Sequence, residues 1–244
     1  MHGIESGDES CAARFLLSTW RLITLGRLSR ATNHEINNLS TILFGLEDLL
    51  RDAVEEGSPA AREDCAALGE IGARLNALVS HARALQKMEC TLEGECSLTE
   101  TAHFVDRLLE SQGIPRHGGI PAALSSLELR LRLPRLVLTL TWLNLVLGLR
   151  HGDESVSGED LKVSVSGSGE GMIRLLFQSP HLPRNLDEQM RLLVPEDCDP
   201  RWARHLARYL LAPLGIRQVR EDGRLSLFLP MSSPSERLPR SSLR

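Results

Sequence analysis

An α+β fold is what this sequence predicts: a long antiparallel helical hairpin followed by a smaller α/β sandwich. Three observations carry that expectation. Ile36, Leu39, Leu43, Leu46 and Leu50 recur at spacings of three and four, the apolar seam of a helix packed in a bundle. Leu68, Ile71, Leu75, Leu78, Ala82 and Leu85 repeat that rhythm after a break at Gly57 and Ser58-Pro59. Beyond Cys96 the period changes. Leu127, Leu129, Leu131 and Leu133 alternate with Glu128, Arg130 and Arg132, as a half-buried strand requires.

Taken in order, residues 1–12 read as a flexible acidic arm and 13–90 as the hairpin. The first helix is expected from about Ala12 to Glu55, with Gly57 as its stop. Ser58 caps the second helix and Pro59 opens it, and that helix is expected to reach Met88. A single hairpin has a seam but little to bury it against. Two copies related by a two-fold axis make a four-helix bundle, so a homodimer is expected. The turn end, residues 45–70, is strongly acidic and reads as a solvated face.

Cys90 to Cys96, with Gly94, reads as a linker, and 91–231 as the sandwich. Leu98–Gln112 is expected as a helix ending at Gly113, and Arg135–Arg150 as an apolar helix after Pro134. Leu161, Val163 and Val165 form one strand and Met172–Phe177 the next. Gly167, Gly169 and Gly171 fall between them and read as a turn. A helix over Trp202–Leu211 places Trp202, Leu206, Tyr209 and Leu210 on one side. Ile216–Arg220 and Arg224–Leu229 flank Glu221-Asp222-Gly223, a hairpin with an Asp-Gly turn. Helices on one face of a mixed sheet complete the sandwich. Residues 232–244 read as a disordered tail.

Composition narrows the function classes. The chain has 244 residues, 42% of them hydrophobic, enough for one large or two modest domains. A net charge of −4 and only 4% aromatics argue against a nucleic-acid partner. Five cysteines fit neither a zinc pattern nor a disulfide framework and are expected to be reduced, which suits a cytoplasmic location. The opening MHGIESGDES has no basic n-region or apolar core, so no signal peptide is expected. Leu136–Leu149 is interrupted by Thr139, Thr141 and Asn144 and is too short and polar to span a membrane.

The stretch with chemistry is His34-Glu35-x-x-Asn38. At about 100° per residue, His34 sits roughly 200° from Ile36 on the seam, so it is expected to face outward. Asn38 is one turn on, about 40° around the helix, and Glu35 stands on the flank. An outward imidazole with a carboxylate and an amide in reach suits proton or phosphoryl transfer.

This pattern resembles the phosphoacceptor box of bacterial sensor histidine kinases, H-E-x-x-N. The family often has Pro after the Asn; here Leu39 keeps the backbone N–H that Pro lacks. The later elements resemble the family's ATP-binding domain. Leu98-Thr-Glu-Thr is similar to its entry, Leu143-Asn144-Leu145-Val146-Leu147-Gly148 to its N-L-x-x-N-A helix, and Leu225–Pro230 to its closing strand. Three nucleotide contacts of the family are missing. Gly148 stands where a second Asn would hold the metal, and glycine offers a hard cation no side-chain oxygen. Gln178-Ser179-Pro180 replaces D-x-G-x-G, and Asp197-Cys198-Asp199-Pro200-Arg201 replaces a glycine-rich phosphate loop. The resemblance therefore implies a degenerate kinase-type sandwich behind a working phosphoacceptor hairpin, similar to histidine phosphotransferases built like dimeric kinases. It implies His34 as acceptor, Glu35 as proton acceptor, and Asn38 as the group that orients the phosphoryl group or positions a water for dephosphorylating a receiver. The partner it implies is a response-regulator receiver domain, which would supply Mg²⁺. No cofactor or metal site is expected in this chain. A kinase with a divergent ATP site and a non-enzymatic pseudokinase that sequesters a partner are the two other readings.

Overall fold

The computed structural model describes residues 5–56, 61–111, 129–150, 162–167, 171–178, 193–194, 198–221 and 224–232. The expected turn at Gly57 to Pro59 and the expected tail beyond residue 232 lie outside these. The architecture is α+β, with long helices and small antiparallel sheets.

Helix α1 (Glu5–Glu56) runs unbroken for 52 residues. It starts inside the segment expected as an arm. Apolar residues just beyond it anchor the helix: Ala13, Leu17, Trp20 and Leu28 recur at helical spacing and are all buried, so α1 has a face to pack well before the box. Helix α2 (Ala61–Lys87) returns beside it. Its seam forms as expected, with Ile71, Leu78 and Leu85 buried and Leu68, Leu75 and Ala82 half-buried. The α1 seam divides. Leu39 is 1% exposed and packs with Leu46 on Ile71, Leu75 and Leu78, whereas Ile36 (37%) and Leu43 (38%) stay open to solvent. Residues seven apart share a face, so α2 covers one heptad position of α1 and leaves the other uncovered. Where α2 ends, the Arg21 guanidinium on α1 donates to the carbonyls of Gln86 (3.0 Å) and Met88 (2.8 Å), satisfying groups a helix end leaves orphaned.

After the hairpin come β1 (Cys96–Ser97), α3 (Leu98–Ser111), β2 (Arg130–Leu131) and α4 (Arg135–Arg150). Then follow β3 (Lys162–Gly167), β4 (Met172–Gln178), α5 (Pro200–Leu206), β5 (Arg217–Glu221) and β6 (Arg224–Pro230). Leu129, Leu131 and Leu133 are buried while Arg130 and Arg132 are exposed, the alternation the sequence predicts, although only Arg130–Leu131 is strand. The main sheet has the order β3-β4-β6-β5. Every pairing among the described strands is antiparallel, so the expected mixed sheet is corrected. Short connections explain this: β3 to β4 and β5 to β6 are hairpins, and a hairpin reverses the chain. Glu221 pairs with Arg224, which leaves two residues between them. Gly167 pairs with Ile173, so the glycine run is the β3–β4 connection, and Gly171 adopts φ +71°, a backbone state that favours glycine. A bridge from Leu131 to Met231 ties the β1–β2 pair to the end of β6.

One face of the sheet is apolar: Val165, Leu175 and Leu227 align across three strands, and all are buried. Helix α4 lies on that face, with Trp142 edge-on to Phe177 at 6.0 Å. It is buried nearly all round because α3 and α1 cover its other sides. Asn144 is roughly 200° from Trp142 on α4 and hydrogen-bonds α1. The layers therefore run sheet, α4, α1, and Leu17, Trp20 and Leu28 share one hydrophobic cluster with the sheet. The boundary expected at residue 90 falls inside this packed core.

Helix α5 continues as a wider π-helical turn, Ala207–Leu211. Ala203, Leu206, Leu210 and Leu211 are buried, but Tyr209 is exposed, against the expected face. The wider turn rotates Tyr209 away from Leu206. It stacks on His205 instead (5.6 Å, interplanar 20°).

His81 on α2 meets Phe104 on α3 edge-on at 6.3 Å. Burial, then the nearby Arg107 guanidinium, holds its pKa below the ordinary imidazole value. The folded state thus favours neutral His81. The resulting stability is complete above the unfolded pKa of about 6.5 and is lost as pH falls from there through the lowered folded pKa. Melting temperature measured from pH 8 to pH 5 is expected to fall more steeply for the natural chain than for His81→Leu. Parallel curves would mean that His81 does not couple to folding.

Candidate functional site

The segment Ser29–Asn38 is almost wholly polar, with Ala31 and Ile36 its apolar residues. Asn, Ser and Thr are poor helix formers because their side chains compete for the backbone. The segment is helical because packed helix flanks it on both sides. Leu28 above belongs to the large core, and Leu39 below belongs to the hairpin core. Between those two residues no described residue is buried: Asn33, Ile36, Asn37 and Asn38 are exposed and Thr32 is half-buried. The Thr41 hydroxyl donates to the Asn37 carbonyl (2.9 Å), a local contact within the helix.

His34 and Glu35 lie on α1 within this stretch, and their side chains are outside the described residues. Asn38 is exposed one helical turn below position 34. The helix therefore brings positions 34 and 38 to one side.

Two of the arginines upstream of the box are not surface groups. Arg21 holds the end of α2, and Arg27 is buried. Arg27 Nη1 donates to Asn144 Oδ1 at 2.9 Å. The Asn144 amide nitrogen donates to Thr24 Oγ1 (2.7 Å) and to the Leu140 carbonyl (2.9 Å). Thr24 Oγ1 in turn donates to the Trp20 carbonyl (2.8 Å). Asn144, fully buried, is thus occupied by the chain itself. The sequence offered a signal for this contact in the helical spacing of Leu17, Trp20, Thr24 and Leu28, but nothing to say that α4 was its partner.

Asp199 is likewise engaged. It caps α5, accepting from the Arg201 backbone N–H (2.9 Å) and from the Arg201 guanidinium (2.7 Å). The guanidinium and then that N–H hold its carboxyl below the usual carboxylate range. A carboxylate already occupies this helix N-terminus, where an anion would otherwise bind. Gln178 ends β4 half-buried; residues 179, 180 and 197 lie outside the described residues. Cys11, Cys90, Cys96 and Cys198 are free thiols, and burial pushes the Cys96 pKa up to about 11. Among the described residues, no group of three or more His, Cys, Asp or Glu could hold a metal ion. No helix among them is long and apolar enough to cross a membrane.

No family model and no curated protein matches the chain. Among solved structures, full-length ShkA in complex with AMPPNP is similar, with a TM-score of 0.39 and 15% sequence identity. ShkA is a bacterial sensor histidine kinase. The match covers 81% of this chain and 46% of that one, so the chain spans less than half the length of ShkA. The likeness is weak and carries no argument.

Proposed function

We propose that this chain is a two-component signalling protein that moves phosphoryl groups between response-regulator receiver domains through His34, without ATP-dependent kinase activity of its own. The observation that supports this most is the position of the box. His34-Glu35-x-x-Asn38 lies on α1 between Leu28 of the large core and Leu39 of the hairpin core, where no described residue is buried. A ring nitrogen of His34 attacks the phosphorus of a receiver's aspartyl phosphate. The bond from phosphorus to the carboxylate oxygen breaks, the receiver keeps a free carboxylate, and the imidazole proton passes to Glu35. The reverse step loads a second receiver. Alignment and charge neutralisation carry most of such a transfer, and the receiver's Mg²⁺ supplies the latter.

A homodimer fits the open face of α1. Phe15 (66% exposed), Leu22, Ile36 and Leu43 are separated by multiples of seven, and Phe44 is 65% exposed beside them. A stripe in heptad register suits a second copy packed as a four-helix bundle. The engaged Asn144 and Asp199 support a second domain that does not grip a nucleotide.

The test is phosphotransfer profiling of the purified chain against a panel of phosphorylated receivers, with labelled ATP and Mg²⁺ run in parallel. Label from receivers and none from ATP is the expected pattern. Label from ATP would establish a kinase; receiver binding that survives loss of His34, without label, would establish a sequestering protein. Asn38→Ala is expected to leave stability within about 0.5 kcal/mol, as an exposed polar substitution does. It is expected to slow receiver dephosphorylation roughly tenfold or more while phosphotransfer stays within a few-fold. Phosphate release and transfer rates on one receiver check this, and equal losses in both would remove the distinct role of Asn38.

A further inference from the structure

We propose that Thr24, Arg27 and Asn144 are positioning residues. They form a polar pin that fixes the rotation of α1 against the second domain and thereby sets the direction in which position 34 is presented. For catalysis the proposal rests on His34 being the acceptor; for the geometry it stands alone.

The pin is directional where the packing around it is not. Leu17 and Leu28 hold α1 on the core through apolar contacts that have no preferred angle, and Trp20 adds a single hydrogen bond to the Leu193 carbonyl. Asn144 instead addresses two residues of α1 through opposite ends of one amide. Its nitrogen donates to Thr24 Oγ1 at 2.7 Å, and its oxygen accepts from Arg27 Nη1 at 2.9 Å. All three residues are buried. A one-residue rotation of α1, about 100°, would bring Ile23 or Leu25 to the amide and strand a guanidinium and an amide in a dry site. An apolar trio of similar volume would pack there too, but would permit that slip.

Rotation at the pin reaches the box. Helix α1 is continuous from Glu5 to Glu56. Position 34 follows Arg27 by seven residues, which is roughly 10 Å along the axis and about 20° around it. It therefore lies on the side of α1 that carries the pin. A small turn of the helix there swings the acceptor position relative to the whole second domain.

The decisive variant is Thr24→Val/Arg27→Met/Asn144→Leu, which keeps the packing and removes the pin. Thr24→Ser, which keeps the hydroxyl, is the rescue control, and Thr24→Val alone serves if the triple variant does not fold. Spin labels at Asn33→Cys and Arg217→Cys, both exposed positions on α1 and on the second domain, report the geometry in a background without other cysteines, with unlabelled chain added to isolate distances within one protomer. A single narrow distance is expected for the natural residues and for Thr24→Ser, and a broad or shifted distribution for the pin-less chain at unchanged helix content. Transfer from a phosphorylated receiver is expected to slow at least about tenfold in the same variant, since misplacement of an angstrom costs that much or more. An unchanged narrow distance in the pin-less chain overturns the pin. A broadened distance with undiminished transfer overturns its role in positioning the acceptor. A narrow distance in a natural chain that no receiver labels overturns the proposed reaction while supporting the pin.

Discussion

His34→Gln is expected to abolish transfer from a phosphorylated receiver, lowering the rate by at least about a thousandfold, to below detection. The amide nitrogen of glutamine has its lone pair tied up in resonance and is no nucleophile, so the substitution keeps a polar side chain of similar reach and removes the reacting atom. The fold should not notice. Position 34 lies between two cores in a stretch where no described residue is buried, and substitutions in such places cost within about 0.5 kcal/mol. The measurement is transfer of label from a receiver charged chemically with a small acyl phosphate, alongside thermal melting and dimer mass. Undiminished labelling would assign the acceptor elsewhere. A collapse in melting temperature would mean instead that the imidazole is structural.

Trp20→Ala is expected to be the most damaging single truncation for stability. The indole is fully buried on α1, and its Nε1–H donates to the Leu193 carbonyl at 2.8 Å. Removing a buried Trp costs about 3–5 kcal/mol through lost transfer energy and the cavity left behind. The Leu193 carbonyl also loses its donor, adding about 1 kcal/mol. For a chain of this size that is a fall in melting temperature of about 10 °C or more. Trp20 belongs to the same cluster as the sheet residues Ile173 and Leu227, so the upper half of α1 and the second domain should lose structure together. Denaturation followed by both circular dichroism and tryptophan fluorescence checks this. A loss under about 1 kcal/mol, or an early separate transition for α1, would show that the upper half of α1 is an independent arm.

Much of the fold was legible because it is local. The α2 seam from Leu68 to Leu85, the alternation of Leu129, Leu131 and Leu133, and the pairing of Glu221 with Arg224 each follow from a period or a turn within a few residues. The departures from local pattern have separate causes, each beyond what spacing states. Spacing puts Ile36 and Leu43 on the same seam as Leu39 and Leu46, because it defines a stripe but not which part of it the neighbouring helix covers. Tyr209 left its expected face because a π turn changes the angle per residue, and nothing in the local composition announces that turn. Residues 5–12 read as an arm because, among the described residues, the first buried one on α1 is Ala13.

By itself the sequence determined the periods, the turns and the chemical inventory: two long helices, alternating strands, and an imidazole, a carboxylate and an amide in one polar helical stretch. Only the tertiary structure decided what Asn144 does. Its partner Thr24 is 120 positions away in the chain, and a buried amide takes its role from whichever surface closes over it. The placing of α1 over α4, with positions 34 to 38 between two cores, was decided in the same way. Burial is a property of surfaces that meet, and a one-dimensional pattern states which faces are apolar but not which of them come together.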